Sequence, residues 1–176
     1  MNLLKHTIHS SIDTIDNKTI WERPATRAII LRNKKILLLY TERYDDYSLP
    51  GGGVNEGEEI IEAFKRELKE ETGAKNIRNI QEFGKYEEYR VSRKVGFDLV
   101  FMTSYCYTCE IDENLGETQY ESYELSNGMK PVWLDIDQAI LHNEQTLAQS
   151  PKSGLSIERE LFLLKKIKEE FFFTTA

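Results

Sequence analysis

Apolar and polar positions along the chain follow two periods, and these assign most of it to strands and helices. Ala25 to Leu31 and Lys35 to Tyr40 are runs rich in Ile and Leu, split by the polar turn Arg32-Asn33-Lys34, and predict a hairpin of two buried strands. Thr41 to Ser48 reads as a loop. Pro50 followed by Gly51-Gly52-Gly53 cannot continue a regular element, and Asn55-Glu56-Gly57-Glu58 has the spacing of a helix N-cap with a Glu three residues on. A helix is therefore expected from about Glu58 to Thr72, with Gly73 as its stop. Ile77 to Arg90 and Val95 to Cys109 predict two long strands, and Val132 to Leu134 a short one. Glu110 to Lys130 is acidic and irregular and reads as a long loop. Asp135 or Asp137 would cap a helix through Leu141, and Ser156 to Phe172 predicts a final amphipathic helix. Sheet segments enclosing one central helix, followed by terminal helices, argue an α+β fold or an α/β/α sandwich.

Composition narrows the class. The chain has 176 residues, 40% of them hydrophobic and 30% charged, which suits a globular protein with a real core and a single domain spanning 1–176. Residues 1–20 form an N-terminal extension to the common core, and 153–173 a C-terminal helix. No apolar run approaches the ~20 residues that span a bilayer, and no signal-peptide pattern opens the chain, so the expectation is a cytoplasmic protein without a membrane partner. Thirty acidic against 23 basic residues give a net charge of −7, which disfavours a nucleic-acid surface. Within residues 56–71, seven Glu face only Lys65, Arg66 and Lys69, a local balance of −4.

Cys106 and Cys109 are too few for a disulfide framework or a four-ligand zinc site. A spacing of three on a strand puts their sulfurs on opposite faces, so they read as two separate free thiols. His6, His9 and His142 show no metal-ligand spacing. Phe171-Phe172-Phe173 is unusual near a chain end and predicts cover either for the chain's own core or for a second subunit of a homodimer.

The chemistry concentrates in the central helix. At about 100° per residue, Glu67, Glu70 and Glu71 share one face, which adjoins the apolar stripe of Ile60, Phe64 and Leu68, while Glu62, Lys65 and Lys69 lie opposite. Spacing alone also allows a charged surface helix held by pairs such as Glu62 with Arg66 and Arg66 with Glu70. Crowded carboxylates beside apolar surface repel and lose hydration, and a hard divalent cation, Mg²⁺ or Mn²⁺, resolves that conflict.

Gly52 to Ala74 resembles the signature of the Nudix hydrolases, G-x5-E-x7-R-E-U-x-E-E-x-G-U with U a bulky aliphatic. Gly52, Glu58, Arg66, Glu67, Leu68, Glu70, Glu71 and Gly73 match in frame, and only Ala74 is smaller than usual. Leu49 to Gly53 is similar to the family's approach to this box, and Val132-Trp133-Leu134 with Asp135 to Ile140 to its late strand and helix. The resemblance implies a Nudix-type α/β/α sandwich with a mixed sheet and a central catalytic helix. It implies hydrolysis of a nucleoside diphosphate linked to another group, by a metal-activated water. Carried over position by position, Glu67 and Glu71 are ligands of Mg²⁺ or Mn²⁺, with Gly52 lending its carbonyl. Glu70 is a ligand or the base, and Arg66 orients the carboxylates through Glu58.

Many members add an acid from a downstream loop, for which Glu121 and Glu124 are the candidates here, with Glu117, Asp112 and Glu113 behind them. The partner implied is a small nucleotide-derived substrate. Arg27, Arg43 and Tyr47 are candidates to bind it, among the aromatic and Arg residues that precede the box, since Arg binds phosphate in a bidentate way and aromatic faces stack bases. The proline of ADP-ribose-type members is replaced by Tyr89, and the tyrosine of diadenosine-polyphosphate-type members and the coenzyme A motif are not matched, which leaves the substrate open. Two alternatives stand beside the hydrolase. One is a nucleotide-binding module without turnover, and the other an isoprenoid-diphosphate isomerase, which needs a catalytic Cys.

Overall fold

The computed structural model describes residues 1–173 and contains eight strands and four helices within them. β1 (Leu3–Ile8), β6 (Arg78–Val91), β7 (Leu99–Glu110) and β2 (Ile20–Ile29) form one sheet in the order β1-β6-β7-β2, with β6 and β7 antiparallel and both outer pairs parallel. β4 (Lys35–Thr41) centres the second sheet. β8 (Met129–Asp135) runs along one of its edges, while β3 (Leu31–Arg32) and β5 (Asp46–Ser48) share the other. The sandwich expected from the pattern and the mixed sheet implied by the resemblance are present.

Two apolar cores flank the sheets. α1 (Ile60–Thr72) packs Phe64 and Leu68 with Ala28, Ile30, Leu37, Tyr107 and Cys109. On the other side, α3 (Ile136–Gln149) and α4 (Ile157–Phe172) contribute Ile136, Ile140, Leu161, Leu164 and Ile167 to a core with Ile29, Ile36, Leu38, Tyr86 and Cys106. The period of two explains the division, since Ile29 and Ile30, or Ile36 and Leu37, turn to opposite cores. Cys106 and Cys109 likewise enter different cores as free, buried thiols, as their spacing predicted.

Several expected boundaries are corrected. The hairpin of Ala25 to Leu31 with Lys35 to Tyr40 survives only at its tip, where Leu31 and Arg32 face Ile36 and Lys35, with Ile30 O accepting from Leu37 N. Upstream the strand leaves for the other sheet, because β7 holds one edge of β2 and the glycine segment holds the other: Ala28 N donates to Pro50 O, Thr26 N to Gly52 O, and Val54 N to Pro24 O. The second long strand begins at Leu99. Val95 is exposed on a turn whose Gly96 has φ of +89°. The loop expected over Glu110 to Lys130 contains α2 (Ser122–Asn127), because Glu124 accepts from Glu121 N at 2.7 Å and Gly128 ends the turn in the left-handed region. α3 is capped by Asp135, whose side chain accepts from Asp137 N, and runs eight residues beyond Leu141, to Gln149.

The N-terminal segment is tied in by β1, and α4 covers the first sheet. Phe171 stacks on Phe83, Phe172 packs on the α3/α4 core, and Phe173 is exposed, so two of the three phenylalanines lie against the chain's own surface. Among the described residues, no helix is long and apolar enough to cross a membrane.

Candidate active site

α1 starts two residues later than its sequence suggests. Asn55 and Glu58 close a turn instead, Glu58 N donating to Asn55 O at 3.0 Å and Asn55 N to Glu58 Oε2 at 2.9 Å. The Glu58 carboxylate thus accepts from the Asn55 backbone and at the same time faces Arg66. Arg66 donates Nε to Glu58 Oε1 (2.8 Å) and Nη2 to Oε2 (3.0 Å), then reaches Glu67 Oε1 at 2.8 Å and Glu70 Oε2 at 3.4 Å through Nη1, and Gly53 O at 3.1 Å through Nη2. One planar fork thus fixes three carboxylates and the glycine segment. The Arg66 bond holds Glu58 below the usual carboxylate range.

Glu71 is buried, and Gly51 N donates to its Oε2 at 2.7 Å. Burial pushes its carboxyl well above the usual range against that bond, with Glu67 and Glu124 adding repulsion. Glu67 is likewise raised by burial, offset in part by Arg66. A Cβ on Gly52 would lie 2.6 Å from the Glu67 carboxylate, so glycine lets backbone and acid meet there. Gly73 ends α1 at φ +72°, and the downstream loop closes on it: Gly116 N donates to Gly73 O, Gln119 N to Glu70 O, and Tyr120 OH to Glu71 O.

That docking carries α2 to the site. Of the downstream acids, Glu124 is buried against the cavity that Glu71 lines, with Tyr123 OH donating to it at 3.3 Å. Glu117 and Glu121 are exposed, Asp112 pairs with Arg78, and Glu113 offers its carbonyl to Arg32. Among the substrate candidates, Arg27 lines the cavity. Arg43 is exposed and tied to Asn127, and Tyr47 packs with Tyr40 and His142.

The cavity, about 340 Å³, is lined by the acids Glu71 and Glu124, by Gly51 and Gly52, and by Arg23, Arg27, Arg90 and Arg93. It shares Arg23, Tyr44, Arg90 and Arg93 with a neighbouring chamber of about 210 Å³ walled by Trp21, Val91, Val100 and Leu155. Below it lies a buried ionic cluster that sequence reasoning missed. Arg159 donates to Glu88 at 2.9 Å and to Glu160 at 2.9 Å, Arg90 pairs with Glu88, and Glu160 accepts from Leu49 N at 2.8 Å. The signals were present: Glu88 alternates in phase with the buried Tyr86, and Glu160 falls on the apolar stripe of Ile157, Leu161 and Leu164. Asp46 also lines the cavity, and burial with Glu160 nearby raises it to about 7.

Among the described residues no three His, Cys, Asp or Glu side chains converge into a closed metal cage. Mg²⁺ needs no such cage, since it keeps several waters and takes one or two carboxylates. Glu67 and Glu71, both destabilised as anions by burial, fit that requirement. The Gly52 carbonyl spends one lone pair on Thr26 N and retains another. The thiols fit isomerase chemistry poorly, since burial pushes both up to about 12.

Comparison with known proteins agrees with this geometry. The family model described as the NUDIX domain matches residues 21–154. An RNA pyrophosphohydrolase of Nitratiruptor sp. is 37% identical over 79 residues, 42% of this chain and 51% of that protein, and one of Bartonella clarridgeiae is 46% identical over 43 residues, 24% of this chain and 25% of that protein. The chain spans about half or less of the length of these relatives. The MutT protein of Bacillus halodurans superposes with a TM-score of 0.51 at 26% identity, over 68% of this chain and 72% of that one. The E. coli ORF135 protein shares the fold, with a TM-score of 0.51 at 17% identity over 88% and 95% of the two chains. With the family model spanning most of the chain and the box motif matched in frame within it, this protein belongs to the Nudix family.

Proposed function

We propose that the protein is a divalent-cation-dependent pyrophosphohydrolase that cleaves a nucleoside diphosphate linked to another group. The observation that carries this reading is the meeting of Glu67 and Glu71 with Gly51 and Gly52 beside a cavity that Arg23, Arg27, Arg90 and Arg93 also line. In this reading Glu67 and Glu71, with the Gly52 carbonyl, hold Mg²⁺ or Mn²⁺, and Glu124 is the added downstream acid. The cation supplies neutralisation of pyrophosphate oxygens and a lowered pKa for water. Arg66, braced by Glu58, keeps Glu67 and Glu70 in register. Glu70, the most exposed of the three box acids, takes the proton of the attacking water. The chamber walled by Trp21 and Val100 suits an aromatic ring, which supports a nucleotide.

Residues 1–20 and the C-terminal helix belong to the same unit in this reading, supported by β1 pairing with β6 and by Arg159 of α4 bonding Glu88 of β6. The named activity of the relatives adds RNA to the substrates worth testing, at a terminus that carries a pyrophosphate bond. The test is a panel of nucleotide sugars, dinucleoside polyphosphates, nucleoside triphosphates and a triphosphate-ended oligoribonucleotide, with Mg²⁺ or Mn²⁺. Turnover of at least one, abolished by chelation and by Glu67→Gln or Glu71→Gln in folded protein, is expected. Undiminished turnover in both variants, or none from the wild type, overturns the reading.

A further inference from the structure

The ionic cluster beneath the cavity does not give every charged group a direct partner. Arg159 is satisfied by Glu88 and Glu160, and Arg90 Nε is satisfied by Glu88. Glu160 gives its remaining oxygen to Leu49 N, and Glu71 accepts from Gly51 N. Arg27, 8% exposed, has no carboxylate within ion-pair distance among the described residues. Its Nη2 finds only the Met102 sulfur at 3.7 Å, and its Nε has no hydrogen-bond partner. Arg90 Nη2, on the same cavity, is also unpartnered. Burial and the neighbouring Arg159 lower Arg27 only to about 10, so it remains cationic at neutral pH.

Burying a charged group with unused donors is unfavourable unless something pairs with it. The fold positions Arg27 deliberately close to the box. It sits on β2 where the glycine segment runs alongside, and a Cβ on Gly51 would come within 3.0 Å of its Cα. The same Gly51 carries the N–H that holds Glu71. An oxyanion in the cavity, taking the free Nε of Arg27 and the free Nη2 of Arg90, would satisfy both and stand beside the carboxylates.

We propose that Arg27 is the receptor for a phosphoryl oxyanion of the substrate, the group flanking the bond cut at Glu67 and Glu71. The ligand class is a polyphosphate chain, gripped by a planar fork suited to phosphate oxygens. This assignment rests on the hydrolase reading for its biological setting, but its test does not require turnover.

Inorganic pyrophosphate, titrated calorimetrically into the metal-free full chain, is expected to bind the wild type and to lose at least tenfold in affinity in Arg27→Gln, with Arg27→Lys intermediate. The melting temperature of Arg27→Gln should hold or rise, whereas a purely structural arginine would lower it. On any hydrolysed nucleotide, the variant should raise KM more than it lowers kcat. Equal pyrophosphate affinity in wild type and Arg27→Gln overturns the proposal and leaves the hydrolase reading intact. Pyrophosphate binding that depends on Arg27, with no nucleotide hydrolysed, keeps the proposal and sinks that reading. Should Arg27→Gln fail to fold, the ¹⁵N–¹H resonances of arginine Nε in the wild type decide: a shift on adding pyrophosphate, but not chloride, in the signal missing from Arg27→Lys supports the proposal, and no such shift overturns it.

Discussion

Gly51 N donates one hydrogen bond of 2.7 Å to the Glu71 carboxylate, and that bond ties the glycine segment to the last turn of α1. It gives a buried carboxylate a single donor where full ionisation needs more, so Glu71 is destabilised as an anion.

Glu71→Gln should therefore abolish turnover while preserving the fold. The amide oxygen can still accept from Gly51, and the buried charge is gone. Because the folded-state pKa of Glu71 lies above its ordinary value, the unfolded chain releases this proton first as pH rises, and the wild type loses stability through that window. Added Mg²⁺ should raise the wild-type melting temperature more at pH 8 than at pH 5, and Glu71→Gln should show neither effect. Equal metal stabilisation of both proteins would contradict this.

Gly52→Ala tests close approach rather than backbone conformation. A methyl group 2.6 Å from the Glu67 carboxylate must displace it. A loss of about 10- to 100-fold in metal affinity or activity is expected, the range typical of disturbing the support of a metal ligand. Melting curves should move little. Full activity in the alanine variant would place Glu67 outside the cation site.

Arg66→Lys keeps the charge and loses the fork that spans Glu58, Glu67 and Glu70. Activity should fall by about 10- to 100-fold, and Glu58→Gln, which weakens the same brace, should fall less. Metal titration of both variants checks the order.

Asp46 gives a separate pH signature. Its carboxyl is raised by burial from 3.8 to about 7, so folding keeps a proton that the unfolded chain has lost, and stability declines between about pH 4 and pH 7. Asp46→Asn should be neutral near pH 4 and stabilising at pH 8, on the order of 1 to 4 kcal/mol. Denaturant unfolding of both proteins at the two pH values measures it.

Cys106 and Cys109 should resist thiol reagents in the native protein, since burial raises both to about 12. Two thiols should titrate only after unfolding. Rapid labelling of either one under native conditions would show that its core opens.

Periodicity in the sequence determined which residues face which way. The shared face of Glu67, Glu70 and Glu71, the opposed thiols and the inward Ile and Leu of β2 and β4 are local consequences of a 3.6 or a 2.0 repeat, while the stop at Gly73 follows from glycine's access to the left-handed region at φ +72°. What periodicity does not carry is the choice of partner. A strand pattern satisfies either sheet equally, so the departure of Ala25 to Ile29 from its hairpin was decided by β7 and the glycine segment competing for its edges. Glu124 reached the cavity because the downstream loop docks on the end of α1, while Glu117 and Glu121, with the same charge and similar spacing, stayed in solvent. Arg27, Glu88, Arg90, Arg159 and Glu160 come from three distant segments. Only the packing of α4 over the first sheet brings them together, with every charge paired except the one on Arg27.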